Sequence, residues 1–198
     1  MKNGSQYFKR NVQGGFTLIE LAVVVAIMGI LIVMLAPSIL GTKHNANAAL
    51  LSKTAQNVSN NWMLISESCG TTTEAVSSPV VDSGKTLGDV IFGGSTNVAT
   101  NYQSCYKQAH VLPMSDVGQP KSGGVWTVAG YEVEFSGGGT APLKTTYKKV
   151  PDDLVILMAS KYNPSLSALN TDDATSKVVQ YGIATAGVRD VTVLRFVN

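Results

Sequence analysis

The stretch that decides the fold is GGFTLIELAVVVAIMGILIVMLAP, residues 14–37, an almost continuous apolar run that contains one charged residue, Glu20. The run continues to Leu40, so residues 16–40 provide 25 positions with a single charge. About 20 apolar residues are enough for a helix to span a bilayer. A carboxylate in the centre of a membrane costs roughly 2.5–3.5 kcal/mol on insertion scales. Glu20 is therefore expected to have a partner.

Basic side chains lie just before the apolar run, at Lys2, Lys9 and Arg10. Under the positive-inside rule this end of the segment stays in the cytoplasm. Without these three residues the chain has 12 basic and 13 acidic side chains, because its totals are 15 and 13. This near balance argues against a polybasic surface for nucleic acid and against an acidic tail.

Two small residues, Gly14 and Gly15, come before the apolar run rather than after it. A secretory signal peptide has its small-residue cleavage site on the far side of the apolar core, so this arrangement disfavours one. An uncleaved anchor of a periplasmic domain is the simplest alternative. That alternative leaves the glycine pair, Glu20 and the proline at position 37 without an explanation.

The motif GFTLIE at residues 15–20, preceded by a short basic leader, resembles the prepilin cleavage site of type IV pilins and pseudopilins. The resemblance covers about the first quarter of the chain. It implies that a membrane-embedded prepilin peptidase removes residues 1–15 by cutting between Gly15 and Phe16, and that Phe16 is then N-methylated. The freed amine of Phe16 on one subunit would pair with Glu20 of its neighbour. The alternative is that Glu20 only occupies a first helical turn, where the helix dipole favours acids.

The same resemblance gives residues 16–40 two tasks, first as a membrane anchor and later as the helical core of a filament. Apolar side chains on every side suit a helix that is buried in a bundle. Gly29 and Pro37 stand where such pilins commonly carry helix-weakening residues. Gly29 lacks a side chain and Pro37 lacks an amide donor, so the helix is expected to be weak between them.

Beyond residue 40 the apolar pattern becomes a stripe on one side of a helix. Residues 41–69 form the amphipathic second half of a helix that is predicted to run over residues 16–68, and Gly70 is expected to end it. The stripe is formed by Leu51, Ala55, Val58, Trp62, Ile65 and Cys69.

Residues 70–124 are rich in Ser, Thr, Gly and Pro, which predicts loop with short helices. One helix is predicted around residues 96–110, where Val98, Tyr102, Tyr106 and Ala109 share a face. If the apolar run exports the chain, Cys69 and Cys105 meet an oxidising compartment and are expected to form a disulfide.

Residues 125–198 show strand patterns and are predicted to form the antiparallel sheet of a globular head. The predicted strands cover residues 125–135, 143–150, 177–184 and 190–197, with a hairpin through residues 185–187 and a short helix over residues 154–162. The predicted fold class is α+β, in which a long N-terminal helix packs on an antiparallel sheet in a pilin-like layout.

Other residue patterns indicate sites only weakly. The segment SGKT at residues 83–86 ends like a phosphate-binding loop, but Pro79 stands where that loop needs glycine. The acidic pairs at residues 152–153 and 172–173 suit turns or helix starts better than calcium. Tyr102, Tyr106 and Trp126 are predicted to pack in the core rather than to stack on DNA bases. Neither a catalytic constellation nor a cofactor or metal site is predicted.

The favoured function is a structural subunit of a type IV pilus without catalytic activity. Its expected partners are copies of itself, prepilin peptidase, the inner-membrane assembly machinery and the membrane before assembly, with a host surface or DNA as further possibilities. Its expected location is the bacterial inner membrane as a precursor and then an extracellular filament. The alternatives are a pseudopilin of a type II secretion system, a DNA-binding pilin with a basic stripe around Lys144, Lys148 and Lys149, and a membrane-anchored periplasmic enzyme. Phe16 resembles the type IVa class, whereas the long leader and the large head resemble the type IVb class. Both subclasses therefore stay open.

Overall fold

The computed structural model describes residues 17–76, 79–112 and 114–195, apart from the side chains of residues 36–40. Its first element is helix α1, Leu18–Ser68, which has 51 residues. The chain divides into two compact units, Met1–Thr42 and Lys43–Asn198, and α1 contributes residues to both. The second unit is called the head below.

In the first unit the described residues are helical from Leu18 onward. Residues Leu18–Leu35 are long and apolar enough to cross a membrane, and none of them is buried. The helix is continuous through Gly29 and Pro37, the two positions predicted to weaken it. Because the apolar side chains find no cover within the described chain, they need lipid or other copies around them.

The second half of α1 is the central helix of the head. Thr71 N donates to Ser66 O at 2.8 Å, and Gly70 adopts a φ of +67°. This Schellman-type arrangement ends the helix where the sequence predicted, because glycine enters the left-handed region without strain. Five residues of the predicted stripe are fully buried within the head: Leu51, Ala55, Val58, Trp62 and Ile65.

A six-stranded antiparallel sheet in the order β1-β2-β3-β4-β6-β5 covers this stripe. The strands are β1 Gly118–Lys121, β2 Val125–Val128, β3 Tyr131–Gly138, β4 Ala141–Pro151, β5 Val179–Tyr181 and β6 Val188–Arg195. Tyr147 of β4 is buried and its hydroxyl donates to Leu51 O of α1 at 2.7 Å, so the central strand is hydrogen-bonded directly to the helix. Helix and sheet together confirm the predicted α+β fold.

The prediction of one strand over residues 125–135 is wrong. The chain turns between β2 and β3 at Ala129 and Gly130, whose φ angles are +52° and +86°. Two consecutive left-handed residues make the tight turn of a hairpin, and Val128 pairs with Tyr131 across it. The alternation of apolar and polar residues continues through this turn, so the periodicity of the sequence did not indicate that the chain reverses here.

The prediction of one helix over residues 96–110 is also wrong. Two short 3₁₀ turns, Ser95–Asn97 and Thr100–Tyr102, precede helix α3, Gln103–Gln108. Val98 has an extended backbone and forms a bridge with Val81, which interrupts any helix there. A helix that was not predicted, α2, Leu87–Gly93, lies before these turns. Strand β1 was likewise not predicted, because its GQPK sequence lacks a strand pattern.

The end of the chain agrees better with its sequence. Helix α4, Asp152–Ser160, separates β4 from the last two strands. Residues Ala186 and Gly187, with φ angles of +53° and +77°, form the predicted hairpin between β5 and β6. Strand β5 is shorter than the prediction over residues 177–184.

Candidate functional site

The start of α1 is closed by a reciprocal pair of side chains, Thr17 and Glu20. The backbone nitrogen and the hydroxyl of Thr17 each donate to Glu20 Oε2 at 2.8 Å, and the Glu20 nitrogen donates to Thr17 Oγ1 at 3.3 Å. This arrangement is a capping box, which satisfies amides that a helix start leaves unpaired. The spacing Thr-x-x-Glu would have revealed it in the sequence.

Glu20 is the only ionisable side chain in Leu18–Leu35. The cap provides its carboxylate with neutral donors but with no charge of opposite sign. Gly15 and Phe16, the predicted processing residues, lie outside the described residues. The site therefore presents one exposed carboxylate at the start of an apolar helix.

The disulfide predicted between Cys69 and Cys105 is present, and it joins the end of α1 to α3 across a sequence separation of 36 residues. Ser68 Oγ also donates to Cys105 O at 2.8 Å beside it. The bond ties the segment that contains α2, the two 3₁₀ turns and α3 to the end of α1.

Asn61 provides a second attachment for this region that the sequence analysis missed. Its buried amide donates through Nδ2 to Leu112 O at 2.8 Å and accepts from the Leu112 nitrogen at 3.0 Å. The Asn61 side chain thus pairs with both backbone groups of Leu112, as a neighbouring strand would. Leu112 itself is 54% exposed. The signal available in the sequence was an asparagine directly before Trp62 of the apolar stripe.

Both acids of the pair at Asp152 and Asp153 contact basic side chains within the chain. Arg189 is buried and donates to both carboxylate oxygens of Asp152, at 2.7 and 3.2 Å. The Arg189 guanidinium therefore holds the pKa of Asp152 below its usual value. Asp153 pairs with His44 of α1. Arg189 also donates to the carbonyl oxygens of Asn170, Thr171 and Gly182, so it joins two loops to the start of α4.

Residues of the other sites that the sequence indicated only weakly also make contacts within the chain. Thr86 caps α2 in a capping box with Asp89, which places the SGKT segment at a helix start. Asp173 accepts from the backbone nitrogens of Thr175 and Ser176 in a turn. Lys148 forms salt bridges with Glu134 and Asp190 on the neighbouring strands, so its charge is not part of an open basic stripe. Within residues 17–76, 79–112 and 114–195, no group of three His, Cys, Asp or Glu residues is arranged to hold a metal ion.

Asp89 also orients one of the aromatic residues considered for DNA. Trp126 Nε1 donates to Asp89 Oδ1 at 2.8 Å. Partial burial raises the pKa of Asp89, but the hydrogen bonds from Trp126 and Thr86 outweigh it and leave that pKa below its usual value. Trp126, Tyr102 and Tyr106 are all partly buried and packed against the core.

The start of the apolar helix also matches a known protein family. The family model described as the prokaryotic N-terminal methylation motif matches residues 10–36. The chain therefore carries the N-terminal motif of type IV pilin-like proteins. A protein of Clostridium perfringens (strain 13 / Type A) called prepilin peptidase-dependent protein A is 55% identical to it over 40 residues. That match covers 20% of the pilin-like chain and 29% of the relative. No solved structure is significantly similar.

The family match covers the N-terminal segment, and it agrees with the carboxylate and the apolar helix found there. The motif and the span together fit a membrane-anchored precursor. The family evidence points to a structural pilin-like protein rather than to an enzyme.

Proposed function

We propose that this pilin-like chain is a structural subunit of a type IV pilus. Prepilin peptidase cuts between Gly15 and Phe16, the new N-terminus is methylated, and the subunit waits in the inner membrane. It then polymerises through residues 16–40 into an extracellular filament. The observation that carries this proposal is Glu20, a single carboxylate at the start of an otherwise apolar span and within the matched motif.

Cleavage supplies Glu20 with a partner of opposite charge, whereas its partner among the described residues, Thr17, is neutral. In the precursor the nitrogen of Phe16 is a neutral amide, whereas in the mature chain it is an ammonium. In a low-dielectric bundle, an ammonium and a carboxylate from two copies attract each other strongly, and either charge left alone is costly. Each incoming subunit therefore gains when its Glu20 meets the N-terminus of a neighbour.

The remaining surface of the span supports the same function. Its large apolar side chains are exposed around the whole helix, from 47% at Val24 to 87% at Leu18. Lipid covers such a surface in the membrane, and only similar helices can cover it in a filament that has left the membrane. Polymerisation through this helix therefore lets one segment keep its apolar surface covered both in the membrane and in the filament.

The decisive experiment separates the charge of Glu20 from its role in the cap. Glu20→Gln keeps an oxygen that accepts from Thr17 but removes the charge, whereas Thr17→Ala removes the two hydrogen bonds of the Thr17 hydroxyl but keeps the charge. We expect both variants to be processed and inserted. Filaments sheared from cells that express only Glu20→Gln should be at least tenfold fewer than wild type, whereas Thr17→Ala should assemble nearly normally. Equal filament numbers from the Glu20→Gln strain would refute the pairing.

Processing is tested independently with Gly15→Val. A β-branched side chain at the cleavage position should obstruct the peptidase and leave a longer, membrane-bound precursor. Mass spectrometry of assembled wild-type protein should find methylated Phe16 as the first residue. A mature chain that still begins at Met1 would contradict the proposal. Loss of protein secretion in a strain without surface filaments would assign the chain to the pseudopilins instead.

A further inference from the structure

The part of α1 that lies in the head leaves one side of the helix exposed. Its exposed positions recur at helical spacing from Ala46 to Glu67, on the side opposite to the buried stripe. These exposed residues are called the outer stripe below. Three of them are large apolar residues, Leu50, Met63 and Leu64, and each is between 37% and 39% exposed. The head itself therefore does not cover this side of the helix.

Two members of the outer stripe are charged, Lys53 and Glu67, and their charges have opposite signs. Neither side chain has an ion pair or a hydrogen bond among the described residues. The two residues are 14 positions apart, which is about 21 Å along a helix that rises about 1.5 Å per residue. The two charges of one copy are therefore too far apart to pair with each other.

The outer stripe also repeats its chemistry over this interval. Leu50 is followed by Leu64 after 14 positions, just as Lys53 is followed by Glu67. Fourteen residues make almost four helical turns, so the two members of each pair lie on nearly the same side of the helix. A parallel copy shifted by about 21 Å along the helix axis would place Leu50 beside Leu64 and its Lys53 beside Glu67. An unshifted copy would instead place Lys53 beside Lys53, where like charges repel.

We propose that the outer stripe binds a second, parallel copy of this chain shifted by 14 residues, with Lys53 of one copy paired to Glu67 of the other. This inference rests on the proposed function, because polymerisation supplies the second copy. The parallel orientation follows from the basic residues before the span, which keep every N-terminus on the cytoplasmic side. Each copy uses Lys53 toward one neighbour and Glu67 toward another. The contact is therefore head-to-tail, and it extends a filament instead of closing a dimer.

The apolar and charged residues have different roles in this contact. Leu50 and Leu64 provide apolar area to bury, but the hydrophobic effect is not directional and allows the copies to slide. The charge pair fixes the shift, because a slip along the axis separates the ammonium from the carboxylate. This neighbour is not the one whose N-terminus meets Glu20, because Phe16 and Glu20 are only four positions apart and require a smaller shift.

Crosslinking of filaments tests the geometry of the contact. In Leu50→Cys/Leu64→Cys, a bismaleimide too short to join both positions within one copy should link successive copies into dimers, trimers and longer chains. The native cysteines do not react, because Cys69 and Cys105 are bonded to each other. The single variants Leu50→Cys and Leu64→Cys are the controls and should remain monomers. Dimers from a single variant would indicate an unshifted contact, and a double variant that stops at dimers would indicate an antiparallel one, so either result overturns the proposal.

Exchange of the two charges tests the pairing itself. Lys53→Glu and Glu67→Lys each bring like charges together, so cells that express only one of them should yield about fivefold fewer sheared filaments than wild type. Lys53→Glu/Glu67→Lys restores opposite charges in reversed order and should return filament numbers to within about twofold of wild type. The matched control Lys161→Glu/Glu67→Lys has the same net charge, but Lys161 is exposed just after α4 and outside the outer stripe. It should therefore remain as deficient as Glu67→Lys alone.

The amount of folded protein separates assembly from stability. Because the four substituted positions of the outer stripe are exposed, every variant should accumulate in the membrane with an intact bond between Cys69 and Cys105. The proposal is overturned if Leu50→Cys/Leu64→Cys filaments yield no crosslinked copies, if the single charge reversals leave filament numbers unchanged, or if the exchange of both charges does not restore them. Any of these results would leave the proposed function intact, since wild-type filaments still form. An absence of filaments from wild-type cells would instead refute the proposed function, and this contact with it.

Discussion

Removal of the disulfide should destabilise the head without affecting the membrane span. The bond between Cys69 and Cys105 closes a loop with a sequence separation of 36 residues. In the chain-entropy model, a crosslink over such a loop removes enough freedom from the unfolded chain to stabilise the fold by about 4 kcal/mol. The double variant Cys69→Ala/Cys105→Ala should lose most of this amount.

Two native contacts in the same region do not compensate for that loss. Ser68 still donates to Cys105 O, and Asn61 still holds Leu112, but both exist only in the folded state. They leave the unfolded chain as free as before. For a domain of 150–250 residues, each kcal/mol shifts the melting temperature by about 2–4 °C, so the expected decrease is roughly 10 °C.

Tryptophan fluorescence provides the assay, because both tryptophans, Trp62 and Trp126, lie in the head. Thermal unfolding is followed in detergent for wild type, for wild type with reductant and for the double variant. Ser68→Ala is the local control, and loss of its single hydrogen bond should cost only about 1 kcal/mol.

The result that refutes this reasoning is a double variant that melts within about 2 °C of wild type, a shift worth no more than about 1 kcal/mol. A non-reducing peptide map of the wild-type protein is the companion measurement. It should yield one peptide that links Cys69 to Cys105, and two free thiols at these positions would contradict the bond itself.

Two further predictions concern the head. Gly139→Ala should cost at least about 1 kcal/mol more than the control Gly187→Ala in urea unfolding. Both glycines have positive φ, but a Cβ at Gly139 would lie 2.5 Å from Thr73 O, whereas one at Gly187 meets nothing within 4 Å, so equal losses would argue against this close approach. The second prediction is a loss of stability in acid, because Arg189 lowers the pKa of Asp152 in the folded state. The pair's contribution to the free energy of unfolding is present above the unfolded pKa of about 3.9 and is lost as the pH falls through the lower folded pKa. The urea midpoint of Asp152→Asn should therefore decrease less steeply than that of wild type as the pH is lowered.

The sequence by itself determined the features that depend on local order. A run of apolar residues with one carboxylate defines the span whatever surrounds it, and the motif at residues 15–20 is contiguous. The amphipathic stripe from Leu51 to Ile65 and its end at Gly70 are likewise local, since helical periodicity and a left-handed glycine act within a few residues. Together with the strand patterns of residues 125–198, these features were sufficient for the fold class, and they located Glu20.

Only the tertiary structure decided the features that depend on contacts between distant segments. Ala129 tolerates a positive φ because β2 and β3 pair on either side of it, and Val98 leaves a helical pattern because it pairs with Val81. The Asn61 contact spans 51 positions, and the pair of Arg189 with Asp152 joins β6 to the start of α4. Periodicity describes which side of a segment is apolar, but it does not identify the segment that will cover that side. The Glu20 carboxylate was therefore visible in the sequence, whereas the contact of Asn61 with Leu112 required the folded head.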